Sequence, residues 1–327
     1  MEKHAAEDET HGSTDDSSAQ ASGNTTGIYR DRLTPKLMLQ LAAPHTWPGS
    51  VMPVLGSVAM AYRATDTLQA PLALLLLIIC VLMQSTANAL NDYFDFKRGA
   101  DSEEDDVAVD DAVLVYNDVN PRSVLIYALG MLACAFAFGI IVIVHAGWVP
   151  LAIALTGAIV VALYSGGKTP ISFLPIGEAV SGTVMGLLIP AACFYVLTNG
   201  MFTAFVVLWS LPFALGIGLI MLTNNTCDIE KDIEAGRRTL PVCTGRQYAR
   251  KLYHILLVLW VLLITLIVLV QFERSLWVIL FMLFACIPLV KALWANPLLP
   301  KTRIAAMGQI CSVNVALGTF YAFALVF

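Results

Sequence analysis

Nine predominantly apolar runs, at about residues 37 to 62, 69 to 95, 123 to 145, 149 to 165, 175 to 197, 203 to 226, 249 to 270, 276 to 293 and 305 to 327, limit this chain to one class of fold. A helix needs about 20 apolar residues to cross a bilayer, and in lipid the backbone must satisfy its own hydrogen bonds, which a helix does. With 58% hydrophobic and only 13% charged residues, a water-soluble globule could not cover this much apolar surface. The expected fold is all-α: a polytopic membrane protein with nine transmembrane helices in a single bundle spanning residues 35–327.

Charge sets the orientation. With the N-terminus inside, the outward loops hold only Arg63 and Arg274, and the inward tail and loops hold the other 17 of the 19 Lys and Arg residues. Membrane proteins keep such residues on the cytoplasmic side, so the expected topology is N-terminus in, C-terminus out. Residues 1–34 are expected to form a disordered cytoplasmic tail, because positions 1–29 are acidic, rich in Ser, Thr and Gly and poor in large apolar side chains. The tail lacks the apolar segment of a signal peptide. The seven cysteines form no CxxC pair and the five histidines show no ligand spacing, so neither a disulfide framework nor a zinc site is implied.

Two helix ends break the apolar pattern. NALNDYFDFKRGAD, residues 88–101, closes the second run, and NNTCDIEKDIEAGRRTLPV, residues 224–242, follows the sixth. Asn91 and Asp95 are four apart, as are Asn224, Asp228 and Asp232, which on a helix stacks them along one face. Both ladders emerge on the inner side, a weak internal repeat of the kind that places a site where two halves meet. Acidic residues at helix ends are often merely solvated. Here, however, they recur at helical spacing on two helices with Lys97, Arg98, Lys231, Arg237 and Arg238 interleaved.

Hard oxygen ligands without His or Cys suit magnesium, which is held by a few carboxylates together with substrate phosphates. Carboxylates repel phosphate, so acidic ladders and phosphate-binding cations share a site only if divalent ions bridge them. A diphosphate leaving group held in this way has its developing charge neutralised. A polyprenyl diphosphate, with a charged head at the interface and a tail that prefers an apolar tunnel, fits this placement. The chain holds no P-loop, GxGxxG, nucleophile elbow or HExxH helix.

These residues resemble the UbiA superfamily of intramembrane aromatic prenyltransferases. NDYFDFKRGAD at 91–101 and NNTCDIEKDIEAGRRTLPV at 224–242 look like its two aspartate-rich motifs. Placing the last Asp of the first motif at Asp101, with Gly99 four residues after Asp95, is similar to the 1,4-dihydroxy-2-naphthoate polyprenyltransferase branch. LYSGGKTPISFLPIGE at 163–178 resembles the loop after that branch's fourth helix, and APHTWP at 43–48 resembles the RPxTLP motif of the first helix, with Ala43 in place of the usual Arg. The 103–123 loop is more acidic than the family pattern and keeps only Arg122 as a cation.

The resemblance implies residue roles. Asn91, Asp95 and Asp101 would hold one magnesium, helped by Asp92, and Asp228 and Asp232 a second, with Asn224 beside them. Asp92 could instead serve a helix-end hydrogen bond, and Asn88 and Asn225 are read as structural. Lys97, Arg98, Lys168, Arg237 and Arg238 are candidates to grip the diphosphate, although the positive-inside rule alone would also place cations there. Tyr164 would steady an allylic cation or orient the acceptor, unless it is an interfacial anchor. His45, in a predicted span, is either an acceptor-site residue or a helix–helix hydrogen bond, and Glu178 opens the fifth helix at the positive end of its dipole.

The implied partners are a polyprenyl diphosphate, an aromatic acceptor and the lipid bilayer, not nucleic acid, and the implied location is a bacterial cell membrane. The implied reaction is magnesium-assisted loss of diphosphate, attack by a naphthoate ring carbon and loss of carbon dioxide, with no other cofactor. Other acceptors, such as 4-hydroxybenzoate, a haem vinyl group or a chlorophyll-type alcohol, keep the same site. A divalent-cation conduit is the rival of a different class, but it would need polar residues through the membrane and at its far side, where only Asp66 and Glu273 lie.

Overall fold

A computed structural model describes residues 32–99 and 113–327. The expected tail up to residue 31, Asp101 and the most acidic part of the following loop lie outside the described residues. Eight helices among the described residues are long and apolar enough to cross a membrane.

The first expected span, 37 to 62, is not one helix. Helix α1 (Pro35–Ala42) stops at Ala43, whose φ of 47° is left-handed, and a 3-10 turn over Pro44–Thr46 precedes α2 (Pro48–Thr65). Pro44 and Pro48 lack the N–H that a continuing helix needs. The carbonyl freed at Ala42 accepts from Asn88 Nδ2 and Trp47 Nε1, both at 3.1 Å, so the break is satisfied. His45 therefore lies exposed in a turn at the rim of the bundle, not inside a span, contrary to the expectation from the run's hydropathy. With 18 residues, α2 does not reach the apolarity of the other eight.

The remaining helices follow the expected runs. They are α3 (Ala70–Arg98), a single turn α4 (Val113–Tyr116), α5 (Pro121–Ala146), α6 (Trp148–Ser165), then α7 (Gly177–Thr183) and α8 (Ile189–Leu197), joined through a π-helical turn at Val184–Leu188. After them come α9 (Ala204–Cys227), α10 (Ile229–Glu234), α11 (Leu240–Thr244), α12 (Arg246–Gln271), α13 (Leu276–Ala295) and α14 (Arg303–Ala324). Each long helix packs on its chain neighbour, and α14 returns to α2, so the bundle closes on itself. This alternation places the ends of α3 and α9 and the starts of α7, α12 and α14 at the same end of the bundle.

Small residues set the spacing in the middle. A Cβ on Gly186, in the π turn, would stand 2.3 Å from the backbone of Ala214 on α9, and one on Gly182 would stand 2.7 Å from the Ala214 carbonyl. Only glycine lets these backbones approach so closely, which is a common way of packing helices in lipid. A smaller cluster, with Leu37, Leu41, Leu90, Leu114 and Val124 at its heart, holds α1 and α4 against the end of α3 and the start of α5. Outside, large apolar side chains such as Ile126, Val144, Leu280 and Phe284 are 70% exposed or more, a surface suited to lipid and not to water.

Gly186→Ala is expected to cost about 1–3 kcal/mol by overpacking, read as earlier thermal unfolding in detergent. Gly130→Ala, with nothing within 4 Å of the added carbon, should leave the unfolding temperature unchanged or raised.

Candidate active site

The two ladders end in the same way. Helix α3 closes at Gly99, φ 65°, four residues after Asp95, and α10 ends at Glu234 with Ala235 as its cap and Gly236, φ 70°, just beyond, four residues after Asp232. A left-handed residue is the usual helix stop, and glycine adopts it without strain. In the second motif the turn folds Arg237 back, and its N–H donates to the Asp232 carbonyl at 2.7 Å.

Arg237 then joins the two halves. Its guanidinium pairs with Asp95 Oδ2 at 2.7 Å and Asp232 Oδ1 at 3.7 Å. Asp95 and Asp232 are buried, 3% and 2% exposed. Asn91 donates to Asp95 Oδ2 at 3.0 Å and accepts from Ser165 Oγ at 3.1 Å, and Thr239 donates to Asp232 Oδ2 at 3.0 Å. Arg98 approaches Asp95 to 3.9 Å and donates to the Gly167 carbonyl. Arg98 and Arg237 both lie over the ring of Phe173, at 5.4 and 5.0 Å, a cation–π arrangement that ties the 166–176 loop to both motifs. The Arg238 N–H, donated to the Phe173 carbonyl, adds a third tie.

A second cation comes from the far end of the chain. Arg303, opening α14, donates to Asp228 Oδ2 at 3.0 Å and Asn224 Oδ1 at 2.7 Å. No sequence signal separates it from the other inner-loop cations. Arg237 was among the candidates; Arg303, Ser165, Thr239 and Phe173 were not.

Other expected residues are placed differently. Asp92 accepts from the Val113 and Leu114 amides at 2.8 and 3.3 Å, holding the start of α4. Lys97 is exposed with its ammonium 5.8 Å from the Tyr93 ring, Lys168 is exposed in its loop, and Arg238 is exposed at its side chain. Asn88 holds Thr46 and Ala42 at the helix break. Tyr164 shares its surroundings with Ser181, Glu178, Arg237 and Asp232, so it faces the ladders.

The donor set fits a hard divalent cation. Among the described residues no three His, Cys, Asp or Glu side chains form a ready-made metal cage. Burial pushes the Asp232 carboxyl up to about 6, against the downward pull of Arg237 and Thr239. Such a group gives up its proton readily to a neighbouring cation. Asp95, Asp228 and Asp232 are balanced by Arg98, Arg237 and Arg303. An added diphosphate therefore brings net negative charge that these side chains alone do not offset.

Behind the ladders an apolar cavity of about 190 Å³ runs between α3, α5, α6 and the α7–α8 segment. Leu76, Met83, Phe136, Val142, Gly157 and Met185 are among the residues that line it. On α3 it extends from Leu76 to Ala87, a rise of ~16 Å, and stops one turn short of Asn91.

Residues 50–308 match the model of the UbiA prenyltransferase family. The chain belongs to that family. The UbiA chain is 36% identical over 216 residues to 1,4-dihydroxy-2-naphthoate octaprenyltransferase of Bacillus subtilis (strain 168), covering 65% of this chain and 68% of that one. It is 30% identical over 228 residues to UbiA prenyltransferase domain-containing protein 1 of Mus musculus, covering 68% and 66%. The chain thus spans about two thirds of the length of these curated relatives. A UbiA homolog from Archaeoglobus fulgidus, solved bound to GPP and Mg2+, shares the fold with a TM-score of 0.58 at 18% identity, covering 88% of this chain and 99% of that one. This chain is thus an integral membrane enzyme of a prenyl-transferring family.

Arg303→Gln should destabilise the substrate-free protein by about 1–3 kcal/mol, since it strands a mostly buried Asp228. Magnesium should then restore more thermal stability in this variant than in wild type, as read by melting in detergent with and without chelator.

Proposed function

We propose that this protein transfers a polyprenyl group from its diphosphate to 1,4-dihydroxy-2-naphthoate with loss of carbon dioxide, giving demethylmenaquinone. The observation that carries the reading is the pair of aspartate ladders joined through Arg237, one helical turn from an apolar cavity along α3. The name of the Bacillus subtilis relative supports the choice of acceptor, and the GPP and Mg2+ in the Archaeoglobus fulgidus structure support the donor and the metal. The site faces the cytoplasm, with α2 as the ninth span and residues 1–34 as a tail on that side.

Asn91, Asp95 and Asp101 would hold one magnesium, and Asp228 and Asp232, with Asn224, a second. Bound there, magnesium would neutralise the departing diphosphate. Arg98 and Arg237, already at the ladders, would turn to the diphosphate oxygens, with Lys168 reaching in from the loop above. Arg303 would keep Asn224 and Asp228 oriented. The prenyl tail would lie along α3 in the cavity, which places its first carbon near Asn91 and Tyr164. Apolar walls would keep water from a developing allylic cation. The Tyr164 ring, at the ladders, would stabilise that cation by its π face.

Asp95→Ala and Asp228→Ala are each expected to lower prenylation of 1,4-dihydroxy-2-naphthoate by at least about 100-fold while inserting normally, a loss in the range of a removed charge-stabilising group. Chelator should abolish wild-type turnover. Product with another aromatic acceptor but none with naphthoate would shift the acceptor and leave the site standing. Gly157→Phe, projecting into the cavity from a glycine with nothing within 4 Å, should lower kcat/KM for long polyprenyl diphosphates by roughly tenfold or more and spare short ones, as a filled hydrophobic pocket does.

A further inference from the structure

Glu178 is a buried carboxylate that neither the fold nor the ladders use fully. It is 7% exposed in the first turn of α7. Its Oε1 accepts from Asn225 Nδ2 at 2.8 Å, and its Oε2 is buried with no hydrogen-bond partner among the described residues. No Lys or Arg pairs with it there. A buried carboxylate oxygen left without a donor is costly and calls for a missing partner. Packing does not require it, because the close approach of α7 to α9 is made by Gly182 and the π-turn Gly186.

Its position points to the partner. Asn225 follows Asn224, and Glu178 lies in the surroundings of Tyr164, together with Asp232 and Arg237. The Tyr164 hydroxyl is 3.5 Å from where a Cβ on Gly177 would stand, so Tyr164 and Glu178 flank the same corner of the site. A donor arriving there beside a prenyl diphosphate is a hydroxyl on an aromatic ring: uncharged, flat, and able to offer one hydrogen to one oxygen.

Resting on the prenyltransferase reading above, we propose that Glu178 is the acceptor-side catalytic carboxylate, with Oε2 accepting a hydrogen bond from an aromatic ring hydroxyl and then taking its proton. The bond from the adjacent ring carbon to the first prenyl carbon forms as that carbon's bond to the diphosphate oxygen breaks. The hydroxyl O–H pair becomes part of a ring ketone, and the proton rests on Glu178. The group on the attacked carbon then leaves, as carbon dioxide or a proton, and its bond pair restores the aromatic ring. The ketone oxygen recovers its proton from Glu178, so nothing is oxidised or reduced. The acceptor class follows: aromatic rings carrying a hydroxyl next to the carbon that is alkylated.

The test uses the full chain in detergent or vesicles with magnesium, 1,4-dihydroxy-2-naphthoate and a polyprenyl diphosphate. Glu178→Gln keeps the length and the oxygen that Asn225 donates to but removes the basic oxygen. Its kcat is expected to fall about 100-fold and its KM for the acceptor to rise, a loss in the range of general acid–base catalysis. KM for the prenyl diphosphate should stay within about twofold, since that contact is untouched. Asn225→Ala breaks the link and keeps the carboxylate, so it should retain roughly a tenth or more of wild-type kcat, well above the Gln variant. Wild-type kinetics in Glu178→Gln would overturn the proposal. So would equal losses in both variants with the acceptor KM unchanged, since a purely structural pin predicts that, and Asn225→Ala alone decides if the Gln variant fails to fold. A wild type that prenylates no hydroxylated aromatic would overturn the broader reading and this one with it, whereas an active wild type with an unaffected Gln variant overturns this one alone.

Discussion

The arrangement depends on buried negative charge held by arginine. Asp95 and Asp232 are almost fully out of water, and isolated carboxylates there would be prohibitively expensive. Arg237 satisfies both at once, and in doing so fixes the distance between helices whose sequences are more than a hundred residues apart. Arg98 and Arg303 complete the compensation. The guanidiniums stand where a cation is needed before any substrate arrives. In the proposed reaction, incoming diphosphate and its metal ions would replace one set of charges with another, so the site would be poised without being held open.

The aromatic ring of Phe173 extends this logic to the loop above. Because Arg98 and Arg237 both lie over it, the loop carrying Lys168 is held by the same side chains that neutralise the ladders. Binding at the ladders, as proposed, would therefore be linked to the position of the loop through two cations. Inside the bundle, the close approach of α7 to α9 through Gly182 and Gly186 sets where Glu178 stands relative to Asn225.

Much of the fold was legible because lipid allows few answers. Eight of nine apolar runs became single long helical segments, one of them with a π turn inside it. The ninth, 37 to 62, misled because hydropathy is blind to backbone punctuation: Pro44 and Pro48 break the helix, and the freed carbonyl is satisfied by Trp47, five residues on, and by Asn88, which is close only in space. Within the candidate site, helical spacing singled out Asn91, Asp95, Asn224, Asp228 and Asp232, which the structure gathers around Arg237 and Arg303, since a period of four needs no tertiary knowledge. It could not separate Asp95, which faces Arg237, from its neighbour Asp92, which faces the amides of α4. Nor could it rank the cations, because the positive-inside rule populates every inner loop alike. Arg303 joins Asp228 only because the last helix packs back on α2 and α9.

That return of the last helix has a consequence for biogenesis. Arg303 opens the final helix of the chain, so Asn224 and Asp228 have been synthesised long before the cation that orients them. Until that segment inserts, Asp228 lacks the guanidinium that pairs with it, and the helix that packs back on α2 and α9 brings that charge with it. A chain cut before residue 303 therefore lacks not only a wall of the bundle but also the cation that holds Asn224 and Asp228 in place.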